Sequence, residues 1–127
     1  MTDTTTTPDV AATIDAYLAM LNETDPGRRA EMAGQVWADD AVYVDPLSLV
    51  TGPAAIADMV GAVHQQYPGQ RFSRTSGIDA HHSVVRFEWQ LADDDGNVTV
   101  PGLDVGVIAD DGRLSRIAAF FGPVPEA

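Results

Sequence analysis

The chain has 127 residues, no cysteine and a formal charge of -12, from 19 acidic and 7 basic side chains. Its length fits one domain around one core, and the missing thiols exclude disulfides, zinc–thiolate sites and cysteine nucleophiles. The acidic balance repels phosphate backbones and anionic bilayers, so neither nucleic acid nor a membrane is an expected partner. No apolar run has the length of a membrane span, and the start lacks a basic-then-apolar leader, so a cytoplasmic location is the default expectation.

In chain order, residues 1–8 read as a polar, flexible tail and 9–127 as a single domain. Thr7-Pro8 gives an N-cap followed by proline at the first helical position, and Val10, Ile14, Tyr17, Leu18 and Leu21 then recur at helical spacing. Asp25-Pro26 repeats the start signal, and Met32, Ala33, Val36 and Trp37 form the stripe of a second helix. Ala38-Asp39-Asp40 breaks that pattern. Ala41 to Asp45 reads as a short strand ended by Pro46, with Tyr43 and Asp45 on one face, and Leu47 to Thr51 reads as a loop. Gly52-Pro53 opens a third helix with the stripe Ile56, Met59, Val60, Val63 and Tyr67, stopped by Pro68-Gly69. His64 sits beside this stripe, where a lone histidine is usually structural.

The remainder is strand and turn. Arg71 to Ile78 reads as one strand and Asp79 to His82 as a turn. Ser83 to Ala92 points Val85, Phe87, Trp89 and Leu91 inward, and Asp93 to Asn97 is an acidic turn. Asp111-Gly112 signals a tight type I′ hairpin, which pairs Asp110 with Arg113, Ile108 with Ser115, Gly106 with Ile117 and Asp104 with Ala119. Asp104 then shares a face with Ile108, Ile117, Ala119 and Phe121, while Leu103, Val105, Val107, Leu114, Ala118 and Phe120 take the other. A carboxyl set among apolar side chains without a cation keeps its proton, and a neutral acid can donate a hydrogen bond. The alternative is a strand acid at a bulge near Pro101-Gly102, or one paired with Arg116 after a one-residue slip. Adjacent His81-His82 makes a poor metal pair because neighbouring strand residues point apart, so no metal site is expected.

The expected order is helix, helix, strand, helix and four strands, an α+β layer in which a curved, mostly antiparallel sheet wraps three N-terminal helices and encloses a conical cavity. This order resembles the NTF2-like (cystatin-like) fold from Val10 to Gly122. Tyr17 to Asn22, Trp37 to Pro46, Gly52 to Ile56, and Asp104 followed by Gly112-Arg113 and Ala119-Phe120-Phe121-Gly122 resemble the bacterial Δ5-3-ketosteroid isomerases. The first and third stretches are shared with SnoaL-like polyketide cyclases. The resemblance implies cofactor-free proton transfer through an enolate, with Asp45 as general base and Tyr17 and protonated Asp104 as donors to the enolate oxygen. Phe121, Trp89, Met59, Val63 and Tyr67 would then wall the site around a small apolar, carbonyl-containing ligand. Tyr43 and Tyr67 are candidates for a supporting tyrosine network. The segment between Asn22 and Trp37 is longer than in that family. Two further readings stand beside this one: a SnoaL-like cyclase or hydrolase, and a non-catalytic ligand-binding domain. Tyr17 as a core tyrosine and Asp45 as a turn-forming residue before Pro46 are the plain structural alternatives. An outer sheet face that is also apolar leads to the expectation of a homodimer.

Overall fold

A computed structural model describes residues 9–127. The expected Thr7-Pro8 helix start and the flexible tail lie outside them. Helix α1 covers Val10–Asn22 and is capped by Asp9, whose carboxylate accepts from the Ala12 amide at 3.1 Å. Ile14, Tyr17, Met20 and Leu21 form its buried stripe. Helix α2, Pro26–Val36, starts with Asp25 accepting from the Arg28 amide and proline in its first turn, as its sequence requires. Helix α3, Pro53–Gln66, buries Ile56, Ala57 and Val60.

One buried cation was not legible in advance. Arg29 is 6 % exposed and has no carboxylate partner among the described residues; Nη1 donates to the Glu23 carbonyl at 2.8 Å and Nε to the Ala57 carbonyl at 3.3 Å. It ties the end of α1 to α3, and a Cβ at Gly61 would lie 2.7 Å from its Nη2. His64 makes a second link between these helices, its Nε2 donating to the Leu21 carbonyl at 2.7 Å.

The strands are β1 (Trp37–Asp45), β2 (Ser48–Thr51), β3 (Arg71–Arg74), β4 (Asp79–His81), β5 (Val84–Ala92), β6 (Val98–Ile108) and β7 (Leu114–Phe121). They form one sheet in the order β2-β1-β7-β6-β5-β3, with β4 also on β5. All pairings are antiparallel except β1 with β7. The three helices pack on its inner face around Trp37, Phe87, Ile56, Leu114 and Ile117, giving the expected α+β layer.

Four boundaries differ from expectation. Trp37 belongs to β1 rather than α2, and Ala38-Asp39-Asp40 continues the strand across an irregularity in its β7 register. The two acids are exposed and lie inside that irregularity, where β1 has no paired residue on β7 between Trp37 and Val42. Leu47 to Thr51 is not all loop, since Ser48–Thr51 folds back on β1 as an edge strand. The supposed strand Arg71 to Ile78 stops at Arg74, and Asp79–His81 forms β4 through a tight turn at His82, where φ is 53°. That turn brings the His81 and His82 Nδ1 atoms to 3.2 Å, on the exposed surface.

The last hairpin differs in its turn. Gly112 amide donates to the Ala109 carbonyl and Ala109 amide to the Arg113 carbonyl, so the loop has one residue more than a type I′ turn. Only Gly112 has positive φ, at 87°, and Asp111 does not. This is a type I turn closed by a left-handed glycine. The added residue is absorbed at Ser115, where the register shifts, so Ile108 faces Leu114 and Leu114 turns into the core instead of outward. Beyond the shift, Gly106 faces Ile117 and Asp104 faces Ala119 as expected.

Candidate active site

Between the sheet and helices α1 and α3 lies a cavity of about 230 Å³. Tyr17, Asp45, Asp104, Phe121, Trp89, Met59, Val63 and Tyr67 all line it. The groups with candidate chemistry come from four elements, with Tyr17 on α1, Tyr43 and Asp45 on β1, Trp89 on β5 and Asp104 on β6, while Ser48 of β2 and Gln66 of α3 add further polar lining. The wall toward β3 is fixed by Asn22 at the end of α1. Its side chain accepts from the Phe72 amide at 2.7 Å and donates to the Phe72 carbonyl at 2.8 Å, pairing with that edge strand as another strand would.

Asp104 is 2 % exposed on a central strand. Its Oδ1 accepts from Trp89 Nε1 at 2.9 Å. Burial pushes its pKa up to about 7, against hydrogen bonding from Trp89 and then Tyr17, with the Asp45 charge adding to the rise. Among the described residues it meets no cation, and Arg116, on the neighbouring strand, is exposed on the outer face. The strand acid is therefore neither a bulge residue nor an ion-pair member.

Tyr17 is buried at 2 % exposure and packs edge-on against Trp37 and Phe87, with ring centroids 5.6 and 6.4 Å away. Burial first, then the negative potential of Asp104, raises its pKa well above the ordinary tyrosine value. The phenol stays protonated and is available as a donor.

Asp45 ends β1, half-exposed at the cavity. One oxygen makes the turn expected of an Asp before Pro46: Oδ1 accepts from the Leu47 amide at 2.8 Å. The other accepts from the Tyr43 hydroxyl at 2.7 Å. Burial and then that hydrogen bond hold the Tyr43 phenol protonated far above its ordinary value. Tyr43 thus supports the carboxylate at the strand end, while Tyr67 contributes wall.

The arrangement combines a carboxylate, a nearly neutral acid and a protonated phenol around one largely apolar space. Such a set can accept a proton at one point and donate hydrogen bonds to a developing oxyanion at another. Among the described residues no cluster of three or more metal-ligating side chains occurs, and no helix is long and apolar enough to cross a membrane. His64 is turned to the Leu21 carbonyl and is not part of the lining. Two contributions were missed in the sequence. Trp89 was read as apolar wall, yet its N–H reaches Asp104; Tyr43 was a candidate for the oxyanion side, yet it bonds Asp45. Trp89 is placed inward and Tyr43 on the face of Asp45 by the sequence, but a strand pattern gives the face and not the atom that a ring presents.

Comparisons with known proteins agree with this architecture. The SnoaL-like domain profile matches residues 14–117. A provisionally assigned isomerase of the SnoaL-like family from Agrobacterium tumefaciens is 36% identical, with a TM-score of 0.84 over 89% of this chain and 97% of that one. A protein with a cystatin-like fold from Methylobium petroleophilum is 21% identical, with a TM-score of 0.71 over 93% of this chain and 78% of that one. A protein with a ketosteroid isomerase-like fold from Catenulispora acidiphila, solved with trimethylamine, is 17% identical, with a TM-score of 0.70 over 92% of this chain and 88% of that one. No curated protein matches the sequence. A profile match over most of the chain, and a relative at this identity aligned almost end to end, mean that this protein belongs to the SnoaL-like family and has its NTF2-like, cystatin-like α+β fold.

Proposed function

We propose that the protein is a cofactor-free isomerase that shifts a double bond beside a ketone, acting on a Δ5-3-ketosteroid or a related enone. The observation that supports this most is Asp104, a buried acid with no cation beside it among the described residues, sharing a cavity with the Tyr17 phenol and the Asp45 carboxylate. Asp45 removes the proton from the carbon between the carbonyl and the double bond, and the C–H electron pair passes into the dienolate. The protonated Asp45 then returns the proton to the far carbon as the dienolate collapses to the conjugated ketone. Tyr17 and protonated Asp104 donate to the oxygen while it carries the charge, and neutral donors there need no compensating cation. Tyr43 and the Leu47 amide steady the base between its two proton transfers. Apolar walls from Met59, Val63, Trp89, Tyr67 and Phe121 keep water from competing for the proton.

Family membership also favours a second reading, a SnoaL-like cyclase or hydrolase that uses Asp45 on another substrate. A hydrolase holding water between a carboxylate and a guanidinium is the less supported form, because among the described residues no Arg, Lys or His lines the cavity. The non-catalytic alternative is a domain that only binds such a ligand. A homodimer forms part of the proposal: Phe120 is 55 % exposed on the outer face beside half-buried Leu103, Val105 and Val107. Sedimentation at micromolar concentration should give twice the chain mass.

The deciding experiment follows the absorbance of conjugation with a Δ5-3-ketosteroid, wild type beside Asp45→Asn. Turnover lost on substitution supports the isomerase reading. Turnover that survives removes Asp45 as the base. No turnover, with tight binding of a phenolic steroid, keeps the donor pair and moves the substrate to another enone. Neither turnover nor binding favours the cyclase or the binding domain.

A further inference from the structure

A carboxyl has two oxygens, and one of those on Asp104 is already committed. Trp89 Nε1 lies 2.9 Å from Oδ1, with the indole 6 % and the acid 2 % exposed. An indole N–H can only donate, so the oxygen it meets has to accept. In a neutral carboxyl the carbonyl oxygen is the stronger acceptor, so this bond favours the proton on Oδ2. We propose that Trp89 is a positioning residue for Asp104, fixing the rotation of the carboxyl and placing its proton on Oδ2, the oxygen left to donate to a ligand in the cavity. Its catalytic consequence rests on the isomerase reading; the hydrogen bond and the proton placement do not.

The indole is held from three directions. Phe72 stands 5.7 Å from it and Phe121 6.1 Å, the latter edge-on. Its cross-strand partner is Gly102, where a Cβ would fall 2.2 Å from Cζ2 and 2.4 Å from Cε2. No side chain larger than hydrogen fits under the ring, so the glycine at 102 is part of the same device. A ring already immobile in the fold aims its N–H without further ordering when ligand binds.

The device has an opposed effect on the acid's proton. A neutral donor favours the carboxylate, so Trp89 works against burial. The titratable groups that face Asp104 are Tyr17 from α1 and Tyr43 and Asp45 from β1; β7 presents Ala119. Of these, Asp45 opposes ionisation and Tyr17 favours it. Replacing Trp89 by Phe therefore keeps Asp104 protonated to higher pH while freeing the carboxyl to rotate. Turnover should fall by about ten- to a hundred-fold at its plateau, and its alkaline limit should move to higher pH. A residue that only fills space moves the first and not the second.

The first test needs no substrate. The chain has two tryptophans, so ¹⁵N–¹H spectra of the full-length protein show two indole signals, assigned by the loss of one in Trp89→Phe. The Trp89 signal should titrate with a midpoint near 7, and Asp104→Asn should remove the titration while keeping the signal. Gly102→Ala should also remove it, by displacing the ring. A Trp89 signal that stays fixed between pH 5 and 9, or that titrates unchanged in Asp104→Asn, overturns the inference whatever the enzyme does. A titrating signal in a protein without isomerase turnover upholds the hydrogen bond and sinks the functional reading alone. With turnover present, a Trp89→Phe variant whose alkaline limit does not move overturns the positioning role.

Discussion

Replacing Asp104 by Asn should stabilise the protein, and by an amount that depends on pH. The carboxyl titrates at about 7 in the fold, against 3.8 for an ordinary Asp, because burial penalises its charged form. Between those two values the folded chain holds a proton that the unfolded chain releases. Unfolding free energy therefore falls as pH rises through that window, and changes no further above it. A difference of about three pKa units, at roughly 1.4 kcal/mol each, corresponds to about 4 kcal/mol lost by the wild type between pH 4 and pH 8. Asn has nearly the same shape, carries no charge and still offers an oxygen to the Trp89 indole. The assay is urea unfolding of both proteins at half-unit steps from pH 4 to 8.5, read by far-ultraviolet circular dichroism. The other acidic side chains titrate in both proteins and largely cancel in the difference. The advantage of Asn should be smallest at pH 4, grow through neutrality and level off near pH 8. A difference that is constant across the range would refute the burial argument, since a carboxyl held ionised by a cation changes stability only below about pH 4.

Three further outcomes follow from the same geometry. Tyr17→Phe removes one donor to the enolate oxygen and should lower kcat by about a hundred- to a thousand-fold in the steroid assay, with little change in KM. Arg29→Lys cannot span both the Glu23 and Ala57 carbonyls, and should cost about 1–3 kcal/mol in denaturant unfolding while leaving ligand binding intact. Gly112→Ala forces a side chain into the left-handed region at φ 87° and should cost about 1 kcal/mol or more by the same measurement, whereas Asp111→Ala should not carry a comparable backbone penalty.

The elements that sequence resolves well here are those with a long, uninterrupted period. Strand β5 buries the residues that two-fold repetition selects, and helix α3 buries Ile56 and Val60 of its stripe while Met59, Val63 and Tyr67 are half-buried at the cavity. Strands β2 and β4 have four and three residues, too few for alternation to register, and are held by the neighbours they pair with. Asp104 was placed on the correct face for a partly wrong reason. The turn holds one residue more than its Asp-Gly signal implies, and the register shift at Ser115 takes that residue back out before Asp104 is reached. An insertion in a turn and a bulge in a strand each flip the faces, so together they restore them. Leu114, lying between the two, is the residue whose face was misread. The partners of the carboxyls were hidden for another reason. Whether Trp89 offers its N–H or its ring edge is decided by Phe72, Phe121 and the bare backbone at Gly102, contacts assembled from three other strands.

The parallel pairing of β1 with β7 has a consequence for how the molecule comes into being. Val42 lies beside Arg116 and Val44 beside Ala118, so a strand made early waits for the last one made. Asp45 sits on the early strand and Asp104 on β6, and β7 is the strand between them. During synthesis the two carboxyls have no fixed relation until the residues of β7 have emerged. Closing a loop of some seventy residues is slow compared with forming a helix or a hairpin. The cavity is thus completed only when β7 pairs with β1, and a chain cut short before Leu114 would carry the Asp45 and Asp104 side chains without the strand that brings them together.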